Sequence, residues 1–134
     1  MNYIVHLCTQ DEWTAAQTAG EYRASSLKSE GFIHCSDPGQ ILWVANQYYP
    51  EAADLLLLWI DLQKLAAELR WEDSDGDVFP HLYGPLNLNA VISVTDFVPD
   101  PDGIFRVVPE PGTRKPGTRK PGTRKPGTRK PGTR

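Results

Sequence analysis

The sequence predicts an α+β fold with a curved or split sheet and few helices. Segments of strand length alternate with short helical patterns that begin and end at recognisable caps. One segment, residues 55–60, is continuously apolar, which is typical of a strand buried on both faces. Every Trp, Tyr and Phe lies within the first 110 residues, so these residues can form one sizeable core.

The first two predicted elements are a strand and a capped helix. Residues 3–8 are β-branched and apolar enough for an opening strand. Thr9 and Glu12 then have the spacing of a capping box, in which the two side chains satisfy free N–H groups at a helix start. The helix therefore begins near Gln10 and ends at Gly20, which adopts a positive φ without strain.

A second strand and a second helix are predicted next. Residues 30–35 predict a strand that is entered through Gly31. Ser36 starts a cap, and Pro38 occupies an early helical position, where its missing N–H costs nothing. This helix runs to about residue 48, because a Pro two residues later prevents its continuation.

The rest of the body predicts strands joined by turns. Residues 55–60 should form the central strand, since a strand that is apolar on both faces needs other elements packed against each face. Residues 79–85 predict a loop whose shape is fixed by two Pro and one Gly. The other predicted elements are a short helix at 62–67, a strand at 69–72, an acidic turn at 73–77, one helical turn at 88–90 capped by Asn87, and a final strand at 91–98.

The chain divides into a body and a repeat tail. Residues 111–134 read Pro-Gly-Thr-Arg-Lys four times and then Pro-Gly-Thr-Arg, with five Arg, four Lys and no acidic or aromatic residue. Such a segment has nothing to bury, so we expect a disordered basic tail after a single globular domain of residues 1–110. The domain keeps five of the fourteen Lys and Arg and all seventeen acids, and so carries a net charge of about −12.

Charge and hydropathy exclude several classes of protein. The acidic body repels phosphate backbones, so only the basic tail could bind nucleic acid. Because its pentamer is copied without variation, the tail is more simply interpreted as an expanded tandem nucleotide repeat than as a selected binding arm. No apolar run reaches the roughly 18 residues of a membrane helix, and the first residues lack the pattern of a secretory signal. We therefore expect a cytoplasmic protein without a membrane partner. Cys8 and Cys35 lie far apart without a Cys-x-x-Cys pair, which predicts two buried thiols.

All three histidines lie in short segments where apolar and turn residues would suffice for folding. Imidazole can donate, accept, bind metal or move a proton near neutral pH. If the first two predicted strands pair, their alternation lets His6 and His34 face one cleft. His81 and Tyr83 lie on the predicted rigid loop beside it, and Ser36 stands where backbone N–H groups favour an anion. The sequence therefore predicts one pocket shared by three imidazoles.

Each of these side chains also has a purely structural interpretation. His6 would then bond to a backbone carbonyl inside a half-buried strand. His81 would lock its loop, and Tyr83 would fill the core with its hydroxyl bonded to backbone. The four Trp are interpreted as core or cleft-wall aromatics.

Several motifs resemble one bacterial family. They are Gly-Glu-Tyr-Arg, Ser-Leu, Glu-Gly-Phe-Ile-His-Cys-Ser, Arg-Trp-Glu-Asp and Phe-Pro-His-Leu-Tyr-Gly-Pro-Leu-Asn, which follow an opening strand with a His. Over about residues 1–106 the chain resembles domain-of-unknown-function family 952, which is similar in structure to ADP-ribosyltransferases. The resemblance implies a split, mostly antiparallel α+β fold around a cleft that binds NAD as a substrate.

The resemblance also implies roles for particular residues. His6 matches the opening-strand His that holds a ribose hydroxyl in those transferases, and Glu72 is the nearest acid on a predicted strand. No Glu stands on the predicted last strand, and the segment Gly31 to Ser36 has no Tyr for stacking on nicotinamide. Arg23 and Ser26, from the first two motifs, are further candidates for ligand binding.

Three functions follow from these patterns. The first is an enzyme of ADP-ribosyl or phosphate-transfer type that uses NAD or a related nucleotide. The second is a module that binds such a metabolite without chemistry, and the third is a zinc site made by the three imidazoles. The catalytic candidates are His6, His34, His81 and Glu72, and the ligand-binding candidates are Ser36, Tyr83, Arg23 and Ser26.

Overall fold

The computed structural model of the chain describes residues 2–50 and 52–111. The predicted tail of residues 111–134 therefore lies outside the described residues, except for Pro111. The strands are β1 (Tyr3–Thr9), β2 (Glu21–Tyr22), β3 (Ile33–His34), β4 (Leu55–Asp61), β5 (Glu68–Ser74), β6 (Asp77–Tyr83), β7 (Leu86–Asn87) and β8 (Val91–Asp96). The α-helices are α1 (Gln10–Ala19), α2 (Ser25–Glu30) and α3 (Ile41–Tyr48).

The strands form three small antiparallel sheets. Their orders are β1-β4-β8, β2-β7 and β3-β6-β5. The predicted α+β class with a split, mostly antiparallel sheet is thereby confirmed. None of the helices among the described residues is long and apolar enough to span a membrane.

The central strand β4 separates two hydrophobic cores. All seven of its residues are buried, and successive side chains point to opposite faces. Leu56, Leu58 and Ile60 enter one core, whereas Leu55, Leu57 and Trp59 enter the other. The prediction that the continuously apolar segment is the central strand is confirmed, and β4 pairs with β1 and β8.

The β3-β6-β5 sheet covers one of these cores with its inner face. Ile33 of β3 faces Leu82 of β6 across the ladder, and both are fully buried in the same core as Leu58. Their neighbours His34 and His81 form the next cross-strand pair and therefore point to the opposite, outer face. Strand alternation thus assigns the apolar residues to the core and the imidazoles to the outer surface of this sheet.

Local signals at the first helix behave as predicted. The Thr9 side chain accepts a hydrogen bond from the backbone N–H of Glu12, and the Glu12 side chain accepts one from the backbone N–H of Thr9. Gly20 ends the helix with φ at 89°, in the left-handed region that glycine tolerates. The two cysteines, Cys8 and Cys35, are buried free thiols as expected.

One predicted strand is much shorter than expected, and one predicted loop is wrong in kind. Residues 30–35 contain only the two-residue strand β3, because Gly31 adopts φ of 93° and ends α2, a helix that the sequence analysis missed. Residues 79–85 belong largely to β6, which was predicted as a loop. Pro80 lies inside this strand although it has no backbone N–H to donate, and its carbonyl accepts the backbone N–H of Cys35.

Other boundaries differ more modestly. The predicted helix at 62–67 is a single 3-10 turn over Leu62–Lys64. Asp37, and not Ser36, provides the side-chain cap before α3, through Gly39 N–H. The Asn87 side chain does not cap the turn at Leu88–Ala90, because it bonds to the Lys64 carbonyl and the Ala66 N–H instead.

Candidate functional site

A pocket of about 470 Å³ opens where the outer face of the β3-β6-β5 sheet meets α3. Its floor includes the cross-strand pair His34 and His81. The remaining walls are largely aromatic and come from α3, the residues that follow it, and the start of β6. The lining residues are Glu30, His34, Cys35, Ser36, Trp43, Val44, Tyr48, Tyr49, Ser74, Asp75, Phe79 and His81.

A hydrogen-bonded triad orients His81. This residue is only 5% exposed, and its Nδ1 lies 2.8 Å from Glu72 Oε1. The Tyr83 hydroxyl donates to the same oxygen at 2.6 Å. A carboxylate can only accept, so His81 Nδ1 carries a proton, and the tautomer that this bond selects has its lone pair at Nε2. Within residues 2–50 and 52–111, Nε2 has no hydrogen-bond partner.

The triad also fixes the charge state of its carboxylate. The hydrogen bonds from Tyr83, chiefly, and from His81 lower the pKa of Glu72. The hydrogen bond between Tyr83 and Glu72 also raises the pKa of the Tyr83 hydroxyl. At neutral pH the triad is therefore an ionised carboxylate that holds a protonated phenol and an imidazole. This is the arrangement that keeps a histidine in one tautomer for proton transfer.

Aromatic contacts hold the imidazoles in place on the outer face. Phe32 stacks on His81 with ring centroids 4.1 Å apart and an interplanar angle of 21°. His34 meets both rings edge-on, at 4.8 Å from Phe32 and 5.3 Å from His81. Its Nε2 lies 3.2 Å from a Glu30 carboxylate oxygen, across a partly exposed pair. His34 and His81 thus stand side by side, each with a carboxylate partner.

His6 does not reach this pocket. It lies on the inner face of β1 and is 7% exposed; its Nδ1 donates to the His34 carbonyl, and the Tyr22 hydroxyl donates to its Nε2 at 2.8 Å. Burial lowers its pKa to about 4, so the ring is neutral at physiological pH. The expectation that three imidazoles converge is therefore corrected, because β1 is buried on both faces and the His6 side chain lies in the interior.

The other predicted ligand-binding residues occupy different places. Ser36 is buried and lines the pocket, and its backbone forms a bridge to Val5. Ser26 donates to the Phe32 carbonyl at 2.7 Å and so anchors the segment that carries the stacked ring. Arg23 is exposed, pairs with Glu21 at 2.6 Å and does not line the pocket. Tyr83 and Glu72 stand beside the pocket rather than in its lining.

Several lining residues escaped the sequence analysis. The acids Glu30 and Asp75 come from a helix end and a hairpin turn, and Tyr48 and Tyr49 from the end of α3. Asp75 accepts a hydrogen bond of 2.6 Å from the Tyr48 hydroxyl across 27 positions of sequence. A local pattern could reveal the aromatic pair, but only the tertiary fold brings these groups together.

The electrostatics of the pocket are acidic. Neither Lys nor Arg occurs among its described lining residues, whereas Glu30 and Asp75 do. Arg70 lies on β5 outside the lining; its guanidinium is 4.3 Å from the Tyr83 ring centroid and pairs with Glu68 at 3.1 Å. In the part of the chain that the structure describes, no group of three or more His, Cys, Asp or Glu is placed to hold a metal ion.

Comparison with known proteins identifies relatives. A family model described as "Protein of unknown function (DUF952)" matches residues 7–94. The crystal structure of protein CC0527 from Caulobacter crescentus is similar, with 33% identity, coverage of 78% of this chain and 93% of that chain, and a TM-score of 0.71. The solution NMR structure of CC0527 is also similar, with 33% identity, coverage of 79% of this chain and 93% of that chain, and a TM-score of 0.69. No curated protein matches.

Proposed function

The chain belongs to the DUF952 family, and we propose that it is an enzyme in which His81 moves a proton to or from a nucleotide-like small molecule. The observation that carries the proposal is the His81 side chain itself. It is buried, Glu72 and Tyr83 fix its tautomer, and Nε2 is left as an open base on a residue that lines the pocket. Such an oriented imidazole contributes about 10²–10⁴-fold to a proton-transfer step.

The pocket walls indicate the kind of ligand. A volume of about 470 Å³ falls within the range of roughly 300–1,000 Å³ that is typical of small-molecule sites. Trp43 and Phe79 offer aromatic surfaces, with ring centroids 6.4 Å apart, against which a flat heterocycle can pack. The acidic lining favours a neutral or cationic ring, such as the nicotinamide of NAD in its oxidised form.

ADP-ribosyl transfer is the specific reaction to test first. In that reaction the bond between the nicotinamide nitrogen and the ribose carbon breaks, nicotinamide leaves, and an acceptor nucleophile attacks the sugar cation. The ionised Glu72, which stands beside the pocket, would stabilise the positive charge that His81 acquires when it takes a proton, through the hydrogen bond between Glu72 Oε1 and His81 Nδ1. His81 would take the proton that the acceptor loses, and His34 beside it would orient the sugar hydroxyls.

A second candidate function is a binding module without chemistry. The described lining contains no Lys or Arg to hold a diphosphate, which weakens the case for productive NAD binding. In this alternative the same aromatic walls retain a heterocycle, and the triad serves only to rigidify β5 and β6. The two functions predict the same ligand class but different fates for the bound molecule.

The test is a ligand panel on the full chain. NAD, ADP-ribose and nicotinamide are screened by thermal shift, where a ligand at 100 times its Kd stabilises the fold by about 2.7 kcal/mol. Release of nicotinamide from NAD is then measured for the wild type and for His81→Gln and Glu72→Gln. We expect a loss of about 100-fold or more in both variants. Glu21→Gln, which breaks the distant pair with Arg23, is the matched control and should leave the rate unchanged.

The outcomes separate the candidates. Stabilisation by NAD together with nicotinamide release that depends on His81 supports the enzyme. Stabilisation without release in the wild type favours the binding module. The absence of stabilisation by every member of the panel contradicts both.

A further inference from the structure

The rim of the pocket combines aromatic surface with unneutralised negative charge. We define the rim as Glu30, Trp43, Tyr48, Tyr49 and Asp75, all of them exposed. The hydrogen bonds of its two carboxylates come from an imidazole and a phenol, not from a Lys or an Arg. Exposed indole and phenol rings beside carboxylates form a surface that attracts guanidinium and ammonium groups.

Within the described residues, the arginines are already engaged elsewhere. Arg23 pairs with Glu21, Arg70 with Glu68, and Arg106 with Asp100 and Asp102. Each of these pairs joins residues close together in sequence, and none of these arginines pairs with a carboxylate of the rim. Most of the remaining positive charge of the protein lies in residues 111–134, which contain nine of its fourteen Lys and Arg.

The chain contacts α3, which carries part of the rim, six residues before its described part ends. The Phe105 backbone makes two hydrogen bonds with the Asn46 side chain, at 2.8 and 2.9 Å. Asn46 lies on α3, three residues from Trp43, which corresponds to about 4.5 Å of helix. Residues 112–134 follow only seven positions after Phe105. At about 3.3–3.6 Å per extended residue they can span some 80 Å, several times the distance needed to reach the rim.

We propose that the Pro-Gly-Thr-Arg-Lys repeats of residues 111–134 dock on the rim of their own chain and compete with the pocket ligand. An Arg of one repeat lies over the Trp43 and Tyr48 rings while its charge meets Asp75 or Glu30. The proposal uses the pocket of the proposed function but does not depend on the reaction there. It also accounts for an otherwise unassigned charge asymmetry between an acidic body and a basic tail.

Because the repeat does not vary, this docking does not depend on which repeat occupies the rim. All five Arg are preceded by the same Pro-Gly-Thr segment, so any of them can occupy the rim with the same local contacts. Attachment to the same chain gives each repeat an effective concentration in the millimolar range, so contacts that are weak in a free peptide are populated in the full chain. A tail that is bound part of the time lowers the apparent affinity of the pocket for its ligand in proportion to the free fraction.

Trp43 and Trp71 provide an internal probe and its matched control. They are 48% and 49% exposed, but only Trp43 belongs to the rim, since Trp71 lines a separate hollow with Tyr3 and Pro38. The indole N–H signals of both are followed by NMR in the full chain. One variant has all nine Lys and Arg of residues 114–134 replaced by Gln, and a second has the five Thr of the repeats replaced by Gln.

We expect the Trp43 signal to differ between the wild type and the cation-free variant at low salt, and the Trp71 signal to be the same. The Thr variant should match the wild type. In 1 M salt, where the screening length is about 3 Å, the wild type should adopt the signal of the cation-free variant. The apparent Kd for NAD should fall about two- to tenfold when the tail cations are removed. Glu30→Gln combined with Asp75→Asn should reproduce the change in Trp43 without altering the tail.

Three results would overturn the proposal. The first is an identical Trp43 signal with and without the tail cations. The second is an equal change in the Trp43 and Trp71 signals when the tail cations are removed. The third is salt-sensitive binding of single-stranded RNA by the tail while Trp43 remains unaffected by tail neutralisation, which assigns the tail to nucleic acid. If NAD fails to bind while Trp43 responds to the tail, the proposed function fails and the docking stands. If NAD binds equally well with and without the tail cations, the competition fails and the function stands.

Discussion

The buried His6 should make the free energy of unfolding depend on pH just below neutrality. Burial lowers its pKa in the native protein to about 4, against an ordinary value of 6.5. Between these two values the unfolded chain binds a proton that the native chain does not, so the free energy of unfolding falls as the pH falls. The contribution of the neutral ring is complete above pH 6.5 and is exhausted below about pH 4.

The magnitude follows from the difference between the two pKa values. A separation of about 2.5 units corresponds to about 3 kcal/mol over the whole window, and about 2 kcal/mol of it is lost between pH 7 and pH 5. Glu72 and Asp77, whose pKa values are lowered, lose their contributions only as the pH falls below the ordinary carboxyl range. The window from pH 7 to pH 5 therefore lies above the range in which these carboxylates lose their contributions.

The assay is urea unfolding at pH 7 and pH 5 for the wild type and for His6→Gln. Gln can still donate and accept hydrogen bonds in the interior but does not titrate. We expect the wild type to lose about 2 kcal/mol more than the variant between the two pH values. Parallel losses in the two proteins would refute the buried, neutral state of His6.

Three further predictions concern stability and reactivity. Gly84→Ala should lower the free energy of unfolding by about 1–3 kcal/mol, because the new Cβ would lie 2.8 Å from the Ala67 Cβ. Adding Ala67→Gly should restore part of it, and an unchanged double variant would exclude that clash as the cause. Thr9→Ala should lower the free energy of unfolding, measured by thermal unfolding, by about 1 kcal/mol because the capping box is lost. An unchanged free energy of unfolding would show that α1 is held by packing alone. Cys8 and Cys35, whose pKa values burial raises to about 12, should resist a thiol reagent at pH 8 until denaturant is added; prompt modification of the native protein would contradict their burial.

The fold could be predicted where the signal is local or compositional. The apolar run of β4 and the capping box of Thr9 each depend on a few neighbouring residues, and both were predicted correctly. The strand β6 was missed because Pro80 and the nearby Pro85 indicate a loop, whereas the strand is defined by its pairing with β3 and β5. A single sequence does not contain that pairing in any local window.

The site, like the fold, could be predicted where the signal is local but not where it depends on long-range pairing. His34 and His81 come together because they form one cross-strand pair, a register that alternation alone could not supply. Glu72 lay on a predicted strand, but its bonds to Tyr83 and His81 run diagonally between two strands. The acids of the rim belong to a helix end and a turn, where a carboxylate is ordinarily only a solvated surface group.

His6 and His34 illustrate why two imidazoles near each other need not share one role. The His6 ring donates to the His34 carbonyl from the inner side of the sheet, and the adjacent backbone of Val5 and Ser36 forms two hydrogen bonds of 2.8 and 2.9 Å. These contacts tie β1 to the segment that presents the His34 side chain on the opposite face. Protonation of His6 would replace a neutral buried ring with a buried charge and would weaken this attachment. We therefore expect His6 to be a positioning residue that acts on the pocket through the backbone of His34, so that its replacement alters ligand affinity without removing any group from the lining.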